Sequence, residues 1–421
     1  METNHSNKIA IIGNGGAAAE CIKALRENGY GGEIHVFTDS KWPIYNPMLT
    51  TYYIAGKISF DRLFPYGKGD EFYREYKLDV HPASPVVALD AGKRVVANQA
   101  GFELNYEQCL IASGASPLLP PLETNNCNSI YLIRTVEDAI RLKQALDKKP
   151  RKALVIGASM IGIKLVELFH HAGMKVCLAD IADRIFPLMA HPESSRIIQE
   201  RLSQAGIKFR FGAELKRVEQ RRRGIRAYFG NSNKSEDADL LVVCIGVRPN
   251  TCFIDRKQIE VKQGVLVDAQ MRTSALDLYA AGDVSQGNNL LTGAPQVIGL
   301  WANARYQGRT AGRNMAGLPE AFPGNIPHNV AHFMGMDFVG IGDICEYDRM
   351  EQKFDGQRFM QLFWKKGLLS GANFVDTCTE AGVIKQALVK GLMQNKTFYG
   401  ASLPVAQNLL IRKILSEVEQ A

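Results

Sequence analysis

The chain has 421 residues, 46% of them hydrophobic and 22% charged, a composition that excludes a disordered polypeptide and gives length for two or three domains with cores of their own. Its formal net charge is +7, but the densest basic run, Arg221-Arg222-Arg223 beside Gly224, reads as a solvated hairpin, so nucleic acid is not an expected partner. No stretch approaches the roughly 18 apolar residues of a membrane helix, and the eight cysteines lie scattered with no Cys-x-x-Cys pair, so a cytoplasmic protein with no membrane association and no metal site is expected.

The first element is an apolar strand, Ile9-Ala10-Ile11-Ile12, followed by the turn Gly13-Asn14-Gly15-Gly16-Ala17-Ala18 and a helical stretch to Asn28 that Gly29 stops. A second strand, Glu33 to Phe37, closes on Asp39. The same unit is then written again. Ala153 to Ile156 repeats the strand, Gly157-Ala158-Ser159-Met160-Ile161-Gly162 the turn, and Ile163 to Ala172 the helix, which Gly173 stops at the same spacing. Lys175 to Ala179 is its second strand and closes on Asp180. Both are βαβ openings, so the fold class is α/β with two Rossmann-like units.

The pattern has a specific chemistry. Glycines let the backbone turn sharply and approach a pyrophosphate, and the helix N-terminus offers it unpaired N–H groups. A carboxylate roughly 20 residues on accepts ribose hydroxyls. Gly13, Gly15, Gly16 and Ala18 with Asp39 form one candidate site, and Gly157, Ser159, Ile161 and Gly162 with Asp180 the other. Ala18 replaces the third glycine, where only a small side chain is needed. Ser159 stands where the second glycine lets the backbone close on the pyrophosphate, which predicts weaker binding or a shifted pose at the second site.

Three further segments carry a resemblance. Leu110-Ile111-Ala112-Ser113-Gly114-Ala115-Ser116-Pro117, Val242 to Asn250 with Gly246, and Leu278-Tyr279-Ala280-Ala281-Gly282-Asp283-Val284 make the chain resemble the pyridine nucleotide–disulfide oxidoreductase superfamily, in its branch of rubredoxin reductases, ferredoxin reductases and nitrite reductase flavin modules. The resemblance implies FAD and NADH as cofactors. It also implies that the chain leaves the FAD domain at Ala112-Ser113-Gly114, returns near Gly246, and holds FAD through Gly282 and Asp283. A discontinuous FAD domain (1–116 and 243–320), an NADH domain (117–242) and a small α+β interface domain (321–421) follow, with a homodimer as a further expectation. The segment Gln296 to Gly308 reads as a helix aimed at the flavin, with Trp301 either beside the ring or filling the core. In the last domain, Met336 to Gly342, Arg358 to Trp364 and Gly371 to Val375 read as strands and Val405 to Val418 as a helix.

Relatives that reduce disulfides or peroxides carry cysteines shortly after the first ribose-binding acid. Here Trp42 to Lys57 has none, and no cysteine lies between Cys21 and Cys109, so thiolate chemistry is excluded unless a remote cysteine folds in. Packing is the default for the Tyr45, Tyr52 and Tyr53 cluster, and His328 and His332 read as ordinary histidines. The resemblance implies an ion pair beside the flavin, and gapless alignment puts Tyr52 at its lysine position and Lys164 at its glutamate position. Lys164 is then either a relocated cation or a helix residue reaching the surface. The expected activity is an FAD-dependent NADH:acceptor oxidoreductase that transfers electrons to an acidic rubredoxin- or ferredoxin-type protein or to a small molecule. An amine- or opine-oxidase-like subunit and a nucleotide-binding subunit without turnover are the alternatives.

Overall fold

The computed structural model describes residues 7–124, 127–230, 235–377 and 381–394. The chain forms two compact units, Met1–Ser116 with Arg134–Ile140 and Val247–Asn325, and Pro117–Ile133 with Arg141–Gly246 and Ile326–Ala421. Among the described residues no helix is long and apolar enough to cross a membrane.

The first unit is built on a five-stranded sheet in the order Leu278–Ala280, Gln108–Ile111, Lys8–Ile12, Glu33–Phe37, Asp79–His81. Every neighbouring pair is parallel. A parallel sheet is buried on both faces where strands flank it, and the inner strands Lys8–Ile12 and Gln108–Ile111 are accordingly rich in Ile, Leu and Ala, whereas the edge strand Asp79–His81 is Asp-Val-His and not buried. Ile9 and Ile11 face a core with Ala18, Cys21, Ile22 and Leu25 of the helix Gly16–Glu27. Ala10 and Ile12 face the opposite core with Val96 and Leu104, from a small antiparallel sheet, Val86–Asp90, Val95–Asn98 and Glu103–Asn105.

The helix Trp301–Met315 lies against Gly16–Glu27 at backbone distance. A Cβ on Gly308 would sit 2.1 Å from the Ala17 carbonyl oxygen, and one on Gly312 2.5 Å from that of Cys21. These two glycines, one helical turn apart, set the close approach of the two helices. The helix begins at Trp301 rather than at Gln296, because Pro295–Gln296 is committed to an antiparallel pairing with Gly287 and Asn288.

The second unit repeats the plan with the parallel order Ile130–Tyr131, Leu240–Val243, Lys152–Ile156, Lys175–Ala179, Lys208–Arg210 and the helix Met160–His171. The basic triplet forms the expected hairpin, between Leu215–Gln220 and Ile225–Phe229, with Gly224 at φ +73°. The same unit holds a five-stranded antiparallel sheet, in the order His328–Phe333, Met336–Gly342, Leu368–Val375, Phe359–Lys365, Arg349–Phe354. That sheet is locked to the segment after Asp180. Phe186 stacks on Phe338 with centroids 4.9 Å apart, and Asn373 accepts the His191 N–H at 2.7 Å and donates to the Met189 carbonyl at 2.9 Å. The anticipated helix Val405 to Val418 and Cys378 lie outside the described residues.

Candidate functional site: two dinucleotide turns

In the first turn, Gly13 donates its N–H to the Phe37 carbonyl at 2.8 Å and has φ +114°. A Cβ there would lie 2.1 Å from the Ala112 carbonyl oxygen, so glycine is required for the turn to meet the crossing Ala112-Ser113-Gly114. Gly15 is glycine for a different reason. Its backbone is extended, φ −107° and ψ −167°, which any residue adopts, and a Cβ would meet nothing within 4 Å. It is the N-cap of Gly16–Glu27, and no side chain caps that helix. The open space in front of an uncapped helix N-terminus is what a pyrophosphate needs.

The surroundings fit the rest of such a ligand. Asp39 stands exposed just past Phe37. Trp301 is half-buried, its indole carbons 3.0 to 3.2 Å from the position a Cβ on Gly16 would take, so the ring covers the start of the first helix. Gly282, at φ +85°, donates its N–H to Gln307 Oε1 at 2.9 Å. Asp283 accepts Arg134 Nη2 at 2.7 Å, both side chains largely buried. The crossing is fixed by Asn250, which donates to the Ser113 carbonyl at 2.9 Å, while its own carbonyl accepts Ser113 Oγ at 2.8 Å.

Arg134, Gln307 and Asn250 have no place among the residues singled out from sequence as ligand contacts. Arg134 had a signal. Thr135 and Asp138 exchange hydrogen bonds as a capping box, with Asp138 Oδ2 also accepting the Arg134 N–H at 3.1 Å, and a Thr-x-x-Asp before a helix is legible in a sequence.

The second turn keeps the same skeleton. Gly157 donates to the Ala179 carbonyl at 2.8 Å, and a Cβ on it would lie 2.3 Å from the Cys244 carbonyl oxygen. A Cβ on Gly162 would lie 2.0 Å from the Gly157 carbonyl oxygen, so the third glycine is required here. Ser159 is the N-cap of Met160–His171. Its hydroxyl accepts the Gly162 N–H at 3.2 Å and donates to the Cys244 carbonyl at 3.0 Å. The side chain is therefore turned into the protein and caps Gly162 alone, without capping Met160 or Ile161. Ile161 itself is exposed. Gly246, at φ +112°, donates no side chain to this corner, and its carbonyl accepts the Leu118 N–H at 2.9 Å.

Asp180 is anchored at the tip of its strand. One carboxylate oxygen accepts the Ala158 N–H at 2.6 Å and the other the Ala182 N–H at 2.8 Å, leaving each a further lone pair for a ribose hydroxyl. Arg184 is engaged elsewhere, 2.9 Å from Asp183 and 3.2 Å from the Pro187 carbonyl.

Lys164 and Tyr52 fall in different units. Lys164 Nζ lies 3.3 Å from Glu167 Oε2 and donates to the His332 carbonyl, and Glu167 Oε1 accepts the Met334 N–H at 3.3 Å. Tyr52 is exposed on the short helix Thr50–Ile54. Its neighbours Tyr45 and Tyr53 join Trp42, Phe60 and Phe64 in an aromatic cluster, where burial pushes the Tyr45 phenol up to about 12. Among the described residues the cysteines are free. Burial raises the Cys21 and Cys109 thiols far above the ordinary range and Cys244 to about 12, so none of these three is a ready thiolate.

Two turns of this kind in one chain define a two-nucleotide oxidoreductase. The chain belongs to the pyridine nucleotide-disulphide oxidoreductase family, whose pattern matches residues 7–308, and it is an FAD-dependent NAD(P)H oxidoreductase. It is 30% identical over 390 residues to the NADH-dependent phenylglyoxylate dehydrogenase subunit epsilon of Aromatoleum evansii, covering 91% of each chain. It is 27% identical over 343 residues to a rubredoxin-NAD(+) reductase of Pseudomonas putida, covering 81% of this chain and 88% of that one. The water-forming NADH oxidase of Lactobacillus brevis bound to NADH shares the fold with a TM-score of 0.87, at 20% identity and 99% coverage of both chains.

The contrast between Gly13 and Gly15 is testable. Gly13→Ala should prevent correct folding or lower Tm sharply, because backbone atoms would have to move. Gly15→Val should leave the unfolding free energy of the FAD-free protein within about 1 kcal/mol of the parent yet abolish FAD retention. Equal FAD content in Gly15→Val and parent protein would show that the open space is not the pyrophosphate site.

Proposed function

We propose that this chain takes reducing equivalents from NADH and delivers them to an electron-carrier protein, with FAD in the first unit and NADH in the second and no redox disulfide. The observation that carries the reading is the pair of complete dinucleotide turns in a chain whose segment between Cys21 and Cys109 holds no cysteine. When bound, FAD supplies a ring that accepts a hydride and releases electrons singly or as a pair. The residues do the remaining work. Gly13, Gly15, Gly16, Ala18, Asp39, Ala112, Ser113, Gly114, Gly282 and Asp283 hold FAD, and Arg134 orients the Asp283 carboxylate.

The two turns differ in a way that suits a resident and an exchangeable ligand. The first helix offers its N-terminus uncapped, whereas Ser159 satisfies one of the second helix's N–H groups from within the chain, which weakens its hold on an anion. A donor that must leave after each turnover needs the weaker site. Asp180 selects NADH over NADPH, since it repels a 2′-phosphate and Arg184 is committed to Asp183 and Pro187.

Lys164 carries the positive charge that helps hydride acceptance, with Glu167 and the His332 carbonyl fixing its ammonium. Tyr52 covers or hydrogen-bonds the ring. The acceptor is an acidic carrier of the rubredoxin or ferredoxin type, supported by the net charge of +7 and by the relative that acts on rubredoxin. A second reading makes the chain one subunit of a larger dehydrogenase, favoured by its likeness to a dehydrogenase subunit over 91% of both chains.

Anaerobic reduction of an acidic rubredoxin by NADH should be catalysed by the purified protein and should slow as salt rises from low to about 0.5 M, because screening weakens steering between opposite charges. Oxygen consumption without carrier reduction would point to a small-molecule acceptor instead. Lys164→Met should retain parent FAD content while lowering kcat on the order of tenfold. Parent kcat in that variant would remove Lys164 from the catalytic set and leave it a link between Met160–His171 and the strand His328–Phe333.

A further inference from the structure

The parallel strands Glu33–Phe37 and Asp79–His81 place His35 opposite Asp79 and Phe37 opposite His81. Side chains alternate along a strand, so these four share one face of the sheet. Three of them converge. His35 Nδ1 lies 3.3 Å from His81 Nε2 and 3.1 Å from Asp79 Oδ2, and His81 Nε2 lies 3.8 Å from Asp79 Oδ1. His35 is buried, His81 half-buried and Asp79 exposed.

The protons decide what this group is. The other nitrogen of His35, Nε2, lies 3.1 Å from Glu33 Oε2, and that oxygen is held by Lys8 Nζ at 3.1 Å. An ionised carboxylate only accepts, so Nε2 directs a hydrogen at Glu33, and Nδ1 is the nitrogen turned toward Asp79 and His81. His81 is stacked flat on Phe37, with centroids 4.5 Å apart and planes 7° apart, which holds its Nε2 beside them. Two imidazole nitrogens and a carboxylate then face one another across a space that a shared cation would bridge.

Its dimensions fit a metal ion. Donors bound about 2.0–2.1 Å from a tetrahedral ion stand roughly 3.3 Å apart, close to the separations of His35 from His81 and from Asp79, while the other Asp79 oxygen lies 3.8 Å from His81. We propose that His35, Asp79 and His81 bind a borderline divalent transition ion of the zinc class, with solvent at the fourth position. Two imidazoles and one carboxylate suit such an ion better than magnesium or calcium, which prefer oxygen. Glu33 is a positioning residue that fixes the His35 tautomer, as carboxylates behind metal-bound histidines do.

The location gives the ion a structural task. It joins the edge strand Asp79–His81 to its neighbour just before Asp39, where Thr38 donates to the His81 carbonyl at 3.2 Å and accepts the Ser84 N–H at 2.7 Å. Metal there would stiffen the segment that presents Asp39.

The FAD-loaded protein, stripped with chelator and then dialysed against Zn²⁺, should take up about one ion per chain and gain in Tm, since a ligand of the folded state alone stabilises it. His81→Ala and Asp79→Asn should each weaken uptake at least about tenfold and lose the Tm gain, and Glu33→Gln should weaken it on the order of tenfold with all ligands present. Asp79 is exposed, so Asp79→Asn folds even if His81→Ala does not, and FAD content checks both. Zinc uptake indifferent to Asp79→Asn, or no uptake above background, would overturn the site and leave a proton shared among the three groups.

Discussion

The structure depends on a backbone approach that admits no side chain. At the head of each βαβ unit a strand-to-helix turn is pressed against the segment by which the chain crosses out of that unit. A Cβ at Gly13 would fall 2.1 Å from the Ala112 carbonyl oxygen and one at Gly157 2.3 Å from that of Cys244. These are contacts that only glycine permits, and each is reinforced by the glycine's N–H reaching the neighbouring strand, at Phe37 and at Ala179. With the turn fixed, the helix N-terminus points where the strand ends, and in the second unit Asp180 at the tip of the next strand accepts the Ala158 N–H of the turn. The dinucleotide sites are consequences of that packing.

At the position of the second glycine the two turns part. Gly15 and Ser159 are both extended N-caps, so the backbone has no need of glycine at either position. The space in front of Gly15 is open, whereas the Ser159 hydroxyl is folded back between Gly162 and Cys244. A serine in place of the second glycine is thus a helix cap turned into the protein.

Much of this was legible from local pattern. The strand, turn and helix of both units, the hairpin at Arg221 to Gly224 and the strands after Met336 follow from periodicity and glycine punctuation, because short-range sterics determine them. Trp301 as the first residue of its helix was not, since the antiparallel pairing of Pro295–Gln296 with the nearby strand Ser285–Asn288 overrides a helical pattern. Arg134, Asn250 and Gln307 act through contacts 25 to 149 residues away, beyond the reach of spacing rules. The His35, Asp79 and His81 group is the extreme case. Each strand shows only an unremarkable alternation, and parallel pairing over |i−j| = 46 brings the donors to one face.

Whether NADH bound in the second unit reduces FAD bound in the first is decided by anaerobic stopped-flow mixing of the FAD-loaded protein with NADH or NADPH. The oxidised flavin absorbance should be lost completely with NADH, faster than with NADPH, and the preference should narrow in Asp180→Ala. Flavin that stays oxidised in excess NADH would contradict that reduction.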